Sequence, residues 1–533
     1  MNRMYHWFCA AHGLFDVLSH TAALRAQQCR PLRHTPSPLP LPPQAHPPPE
    51  PLPSSHPPPA TLDPIPEISP RKLQSSKVPS SRIGRLFHYG GLAASLGYGA
   101  AGEILRRSVS SSDPAPSVFM SEANIRRLVA KLTQMRGAAL KLGQFMSIQD
   151  THVLPPELEA VFRRVQDAAH YMPDWQMEQV MRTSLGPTWS STHFSSFTRV
   201  PFAAASIGQV HHAVLTADAS PTGREAHVAV KIQFPNVRQS IESDLAYVRW
   251  VLTAGKILPK GLFLDQTLQV MKNELADECS YTREASFLRL FASPEFLGDD
   301  PRFHVPWVWQ GSTDDVLVME HVQGASVGGA LVASVLSQSD KNAIAERIID
   351  LCLRELFVFR TMQTDPNWTN FLWNPNTKQI ELVDFGATRT YSTRFIDDWF
   401  RLLRAAAEGD RQACVEWSVK VGYLTGAESE SMLDAHVTSL SLLATPFKET
   451  TAQPFAFGPG SSWAEVTARI RAQIPVMLHE RLTPPPRETY SLNRKLSGAF
   501  LLAARLDAEV DCRKLWRGVV DSYRFADSSS SSE

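Results

Sequence analysis

Asp365-Pro366-Asn367-Trp368-Thr369-Asn370, followed after Ile380-Glu381-Leu382-Val383 by Asp384-Phe385-Gly386, is the stretch on which the fold turns. Residues 380–383 read as a short strand, so the Asp384 carboxylate emerges at a strand end. Asn370 and Asp384 then offer hard oxygen atoms, which suit a magnesium ion that takes few protein ligands and completes its shell with phosphate oxygens and water. Asp365, at the turn ahead of them, is placed to orient or deprotonate a hydroxyl or a water. The set asks for a metal-bound polyphosphate and an acceptor beside it.

Working toward the N-terminus, Val228-Ala229-Val230-Lys231 reads as a buried strand that delivers one lysine. Alone it is an ordinary core strand. Ahead of an Asp-to-Asn loop and an Asp-Phe-Gly, it matches the lysine with which kinases hold the α- and β-phosphates of ATP. That ammonium needs a carboxylate, and the helical stretch Val270 to Leu288 contains Glu274, Glu278 and Glu284. Glu278 is the choice made here. Glu274, one turn away on the same face, is the alternative, and a solvated salt bridge is open to either. Where a kinase carries its glycine-rich loop, this chain has Phe202-Ala203-Ala204-Ala205-Ser206-Ile207-Gly208-Gln209-Val210, and Val210 to Val214 and then Val228 to Phe234 read as the two strands that flank such a loop. Each alanine adds a Cβ that keeps backbone amides farther from phosphate than glycine would. Val316-Leu317-Val318-Met319-Glu320-His321 reads as the last strand of this region, with adenine against Met319 and bonded by the backbone of Glu320, His321 and Val322.

Farther upstream stands Lys141-Leu142-Gly143-Gln144, for which ordinary protein kinases have no counterpart. Ser121 is a fair N-cap, and Ile125, Leu128, Val129, Leu132 and Met135 recur at helical spacing. Together with Lys231, Glu278, Asp365, Asn370, Asp384 and the alanine-rich Ala203 to Ser206, this motif makes the chain resemble the UbiB family of atypical kinase-like proteins, in its mitochondrial coenzyme Q biosynthesis branch. The match runs from residue 121 to about 520. The resemblance implies an α+β, two-lobed kinase-like fold with ATP and Mg2+ as cofactors, Asp365, Lys231 and Glu278 as catalytic residues, and Asn370 and Asp384 on the metal. It also implies a helical extension that lays Lys141 and Gln144 toward the nucleotide, across the place where a protein kinase accepts a peptide. One position departs from the family pattern: Ser280 stands where an aspartate is usual.

Departures from protein kinases agree with that closure. Asp365 follows Gln363 and Thr364 rather than His-Arg, no Ala-Pro-Glu follows Asp384, and little chain separates Gly386 from the apolar run at Phe395 to Phe400. Three functions stay open: an ATPase or small-molecule or lipid kinase supporting coenzyme Q biosynthesis, which is favoured; a protein kinase acting on biosynthetic enzymes; and a nucleotide-sensing scaffold without turnover.

The 53 basic and 53 acidic residues give no long-range field for nucleic acid. The six cysteines, at 9, 29, 279, 352, 414 and 512, form no CxxC pair. The expected order is a mitochondrial transit peptide at 1–35, a proline-rich linker at 36–81, a membrane helix at 82–107, the extension at 121–194, a small lobe at 195–325, a mostly helical large lobe at 326–525 whose long helix, Ala343 to Met362, leads into the Asp365 loop, and a serine-rich tail at 526–533. Arg3, Arg25, Arg30 and Arg33 against Asp16 support the first, with a disordered tail as the alternative. Seventeen prolines within 31–70 support the second. Residues 86–102 are just long enough to span a bilayer, an interfacial helix being the other reading, and Gly91, Ser95 and Gly99 repeat at four-residue steps that suit a homodimer. By resemblance, the kinase-like part faces the matrix on the mitochondrial inner membrane, with the coenzyme Q biosynthetic complex and lipid or coenzyme Q precursors as partners.

Overall fold

Val228, Val230, Ile232, Val316 and Val318 are β-branched residues at alternate positions along two strands, all fully buried, as pleated packing favours. A computed structural model describes residues 74–75, 170–205, 207–254, 263–329 and 335–526. These fall in one of the chain's two units, Pro70–Gly102 with Phe119–Glu533. The expected transit peptide, linker and membrane helix (residues 74–75 aside), with Lys141, Gln144 and Ser206, lie outside the described residues.

The first part runs α1 (Asp174–Leu185), β1 (Phe194–Phe197), β2 (Ala203–Ala204), β3 (Gly208–Leu215), β4 (Ala226–Gln233), α2 (Val237–Ala254), α3 (Leu264–Glu278), α4 (Tyr281–Phe291), β5 (Phe303–His304) and β6 (Val316–Glu320). Its sheet is antiparallel in the order β1-β3-β4-β6, with β2 hydrogen-bonded to β3. Lys231 sits in the central strand, opposite Val210 on one side and Leu317 on the other.

The chain continues through β7 (Ala325–Ser326), α5 (Gln338–Phe357), β8 (Thr361–Gln363), β9 (Phe371–Asn374), β10 (Gln379–Leu382) and β11 (Thr388–Thr390). Six α-helices follow: α6 (Thr393–Glu408), α7 (Arg411–Val421), α8 (Glu430–Leu443), α9 (Ser462–Glu480), α10 (Arg487–Arg505) and α11 (Cys512–Ser522). The strands β5, β10, β9 and β7 form a second sheet, while β8 pairs only with β11. Helices α5 and α10 pack side by side beneath β8 and bury Ile348, Leu351, Leu492, Leu496 and Phe500. Among the described residues, no helix is long and apolar enough to cross a membrane.

Two helices differ from the sequence reading. The stretch Val270 to Leu288 is broken in two, because Ser280 adopts an extended backbone (φ −112°, ψ 95°) and its hydroxyl accepts from the Arg283 amide as the N-cap of α4. A cap of this kind is worth about 1 kcal/mol. The expected helix Ala343 to Met362 stops at Phe357, since Arg360 takes a left-handed φ of 50° and the chain restarts as β8.

Candidate nucleotide site

Strand β4 presents the Lys231 ammonium to both oxygens of Glu284 at 2.9 Å, and to Asp384 Oδ2 at 3.3 Å. The Lys231 and Glu284 side chains are 7% and 0% exposed. Burial works against the Lys231 charge, but Asp384 and then Glu284 outweigh it and hold the ammonium well above its ordinary pKa. Burial raises the Glu284 pKa, and Lys231 opposes that rise. The Tyr281 ring lies 5.2 Å from the same nitrogen.

Glu284 therefore fills the role that the sequence reading gave to Glu278. The reason is the break at Ser280: Glu278 ends α3, whereas Glu284 stands in the first turn of α4 and points back at the sheet. Glu284 Oε1 also accepts from the Phe385 amide at 3.4 Å, and the Phe385 ring packs 4.7 Å from Phe291 of the same helix. One helix thus positions both the lysine and the segment carrying Asp384. Ser280 has its own task, since its hydroxyl donates to Asp314 Oδ1 at 2.7 Å while capping α4.

Below the lysine, pairing of β8 with β11 puts the start of the Asp365 loop beside the segment after Gly386. Thr364 Oγ1 donates to the Ala387 carbonyl at 2.6 Å, and the Val383 amide donates to the Asn370 carbonyl at 3.3 Å. These bonds tie Asp365 and Asn370 to the strand end that bears Asp384. Asp365 Oδ1 closes a local turn by accepting from the Asn367 amide. Arg283 donates to the carbonyls of Gly386 and Thr388, which fixes the chain just past the Asp-Phe-Gly.

Helix α10 supplies residues that the motif search missed. Arg494 is buried and bonds Glu274 at 3.3 Å, and the carboxylates of Glu274, Asp365 and Glu278 offset its burial and keep its pKa above the ordinary value. Gly498 lets the helix touch the Asp365 loop, because a Cβ there would stand 2.2 Å from the Pro366 Cβ. The signal was present in the sequence as Ser491, Arg494, Lys495, Gly498 and Leu502, a helical face that places two cations among small and apolar residues.

On the sheet side, β2 and β3 form a hairpin in which the Ala205 amide donates to the Gly208 carbonyl at 2.8 Å. Gly208 is required by close approach, since a Cβ would lie 2.5 Å from the Ile232 carbonyl oxygen and 2.6 Å from the Tyr281 hydroxyl. At the far edge, Met319 is buried in β6 and the His321 amide donates to the His227 carbonyl. That bond occupies the His321 amide, one of the backbone groups expected at the adenine edge. Glu320 itself accepts from His304 at 3.0 Å.

The donor set fits magnesium and a nucleotide. Asp384 is 30% exposed in its side chain, and the buried Asn370 lies on the adjoining turn. Among the described residues, no three His, Cys, Asp or Glu side chains gather as a protein-only metal cage, and magnesium on phosphates requires just one or two protein ligands.

Comparison with known proteins places this geometry in a family. Residues 164–418 match the ABC1 atypical kinase-like domain. The mitochondrial atypical kinase COQ8 of Schizosaccharomyces pombe is 47% identical over 456 residues, covering 85% of this chain and 72% of that protein. Its namesake in Saccharomyces cerevisiae is 48% identical over 449 residues, covering 84% and 86%. The mitochondrial atypical kinase COQ8B of Rattus norvegicus is 44% identical over 464 residues, covering 86% and 84%. A kinase-like sheet and helix arrangement, a Lys231–Glu284–Asp384 cluster and identity sustained along most of each relative have one conclusion: the chain belongs to the UbiB family of atypical kinase-like proteins, in its coenzyme Q biosynthesis branch.

Proposed function

We propose that this chain binds Mg-ATP between Lys231 and the Asn370–Asp384 pair, and passes the γ-phosphoryl group to water or to a small or lipid-like hydroxyl. Its family makes it an atypical kinase-like protein that supports coenzyme Q biosynthesis in mitochondria. The observation that carries the reading is the Lys231 ammonium bonded to Glu284 and Asp384 together, an assembled phosphate site. Lys231, held in place by Glu284, binds the polyphosphate, Asp384 and Asn370 would hold the metal, and Asp365 orients the attacking hydroxyl and takes its proton. The metal would supply charge neutralisation on the transferring phosphoryl.

A small acceptor is favoured by the chain after Gly386. That segment is consumed by β11 and its pairing with β8, and α6 opens at Thr393 with Ser392 as its cap. No extended platform for a peptide is left there. Lys141 and Gln144 are assigned to the closing helix, Ala203 to Ser206 to the phosphate loop, and Glu320, His321 and Val322 to the adenine edge. Attachment at the inner membrane facing the matrix, a homodimer through Gly91, Ser95 and Gly99, and contact with the coenzyme Q biosynthetic complex complete the proposal. The test is Mg-ATP turnover by the full chain on lipid vesicles, with released phosphate, phosphorylated small molecules and phosphorylated protein measured in parallel. Phosphate or small-molecule product is expected; labelling of protein substrates at comparable rates would overturn the choice of acceptor.

A further inference from the structure

We propose that Lys495 and Glu355 are positioning residues for the metal ligand Asn370 and the Asp365 loop, an ion pair that takes the place of the His-Arg found ahead of the catalytic aspartate in protein kinases. The inference rests on the reading of Asn370 and Asp384 as metal ligands. Lys495 comes from α10 and Glu355 from α5, with side chains 2% and 1% exposed and Nζ to Oε2 at 3.4 Å. Between them they grip one residue. Lys495 Nζ donates to the Gln363 carbonyl at 2.6 Å and to Gln363 Oε1 at 2.8 Å, while Glu355 Oε1 accepts from the Gln363 amide at 3.1 Å. Gln363 is two residues before Asp365.

The pair also reaches the metal side. A cavity of about 10 Å3 is lined by Glu355, Gln363, Asn370, Asp384 and Lys495. Gln363 Nε2 and Asn370 Nδ2 are buried and have no protein acceptor, and the cavity, walled otherwise by Leu351, Phe371, Leu382 and Phe385, is at the lower limit of size for one bridging water. A water accepting from Asn370 Nδ2 would leave its Oδ1 available to a metal. Burying two charges is costly for stability, and an apolar pair of similar volume is often equal or better. Retaining the charges at this place is explained by what they orient. Partners behind metal ligands typically carry about 10–100-fold in metal affinity or activity.

The experiment compares wild type, Lys495→Met and Lys495→Met/Glu355→Met in the full chain. The double variant removes both charges, so it folds even where the single variant, left with an unpaired buried carboxylate, does not. Three quantities are read: Tm without magnesium, ADP affinity without magnesium, and the Mg2+ concentration for half-maximal ATP turnover. The expected result is a folded double variant whose Tm is lowered by the stranded Gln363 amide and carbonyl, with wild-type Mg-free ADP affinity, a half-saturating Mg2+ raised about 10-fold or more, and a lowered kcat. An unchanged Mg2+ requirement and kcat, or a double variant that unfolds, would reduce the pair to a structural element and overturn the proposal. Failure of the underlying reading looks different: wild-type turnover would then be indifferent to Mg2+ or to Asp384→Asn.

Discussion

Replacing Glu284 by Gln preserves shape and removes one charge, which makes it the sharpest probe of which acid holds Lys231. Both partners are buried, with Glu284 fully so and the Lys231 side chain 7% exposed. Removing one member of such a pair costs about 3–5 kcal/mol. Asp384 Oδ2 stays 3.3 Å from the same nitrogen, so the lower end applies, about 3 kcal/mol, or about 4 °C in Tm for roughly 350 residues unfolding together. A double-mutant cycle with Lys231→Met, followed by denaturant unfolding at pH 8, isolates the pairwise energy. We expect coupling of about 2–3 kcal/mol between 231 and 284, and below about 0.5 kcal/mol between 231 and 278. Mg-ATP affinity should fall with Glu284→Gln more than with Glu278→Gln. A larger coupling to 278 than to 284 would refute the assignment.

Gly498→Ala drives a Cβ into the rigid ring of Pro366, at an overpacking cost of about 1–3 kcal/mol; turnover should fall, and an unchanged kcat would show that the loop tolerates displacement. Ser280→Asp keeps a capping acceptor for α4 but sets a second carboxylate against Asp314, so thermal melts should show a loss that Asp314→Ser restores. The Glu320 bond raises the His304 pKa. A raised folded pKa gives stability that is complete below the unfolded value of about 6.5 and is lost as pH climbs through the folded one. The Tm deficit of His304→Gln should therefore be larger at pH 6 than at pH 9, and an equal deficit at both would remove the charged pair from the account.

How much of this was legible in the sequence depended on whether the signal was local. Val228 to Lys231, Asp365 to Asn370 and Asp384 to Gly386 each carry strand or turn patterns within a few residues, and the structure puts them on β4, on the turn after β8 and just beyond β10. The choice among Glu274, Glu278 and Glu284 was not legible. It depends on a helix break set by one serine hydroxyl, and by its bond to Asp314, thirty-four residues on. Arg494 and Lys495 were missed for a similar reason: their meaning comes from α10 packing beneath the Asp365 loop, at separations of 220 residues from Glu274 and 132 from Gln363. No motif spans such distances. The early end of α5 followed from Arg360 in a left-handed conformation, which side-chain periodicity does not report.

The central claim is that Asp365 acts on an acceptor beside a magnesium-nucleotide site that Asp384 completes. Single-turnover γ-phosphoryl transfer from Mg-ATP, compared between wild type and Asp365→Asn at matched nucleotide occupancy, tests it most directly. The account predicts that Asp365→Asn binds Mg-ATP as the wild type does and loses turnover by about 100-fold or more, as removal of a general base does. Turnover by Asp365→Asn at the wild-type rate would contradict it.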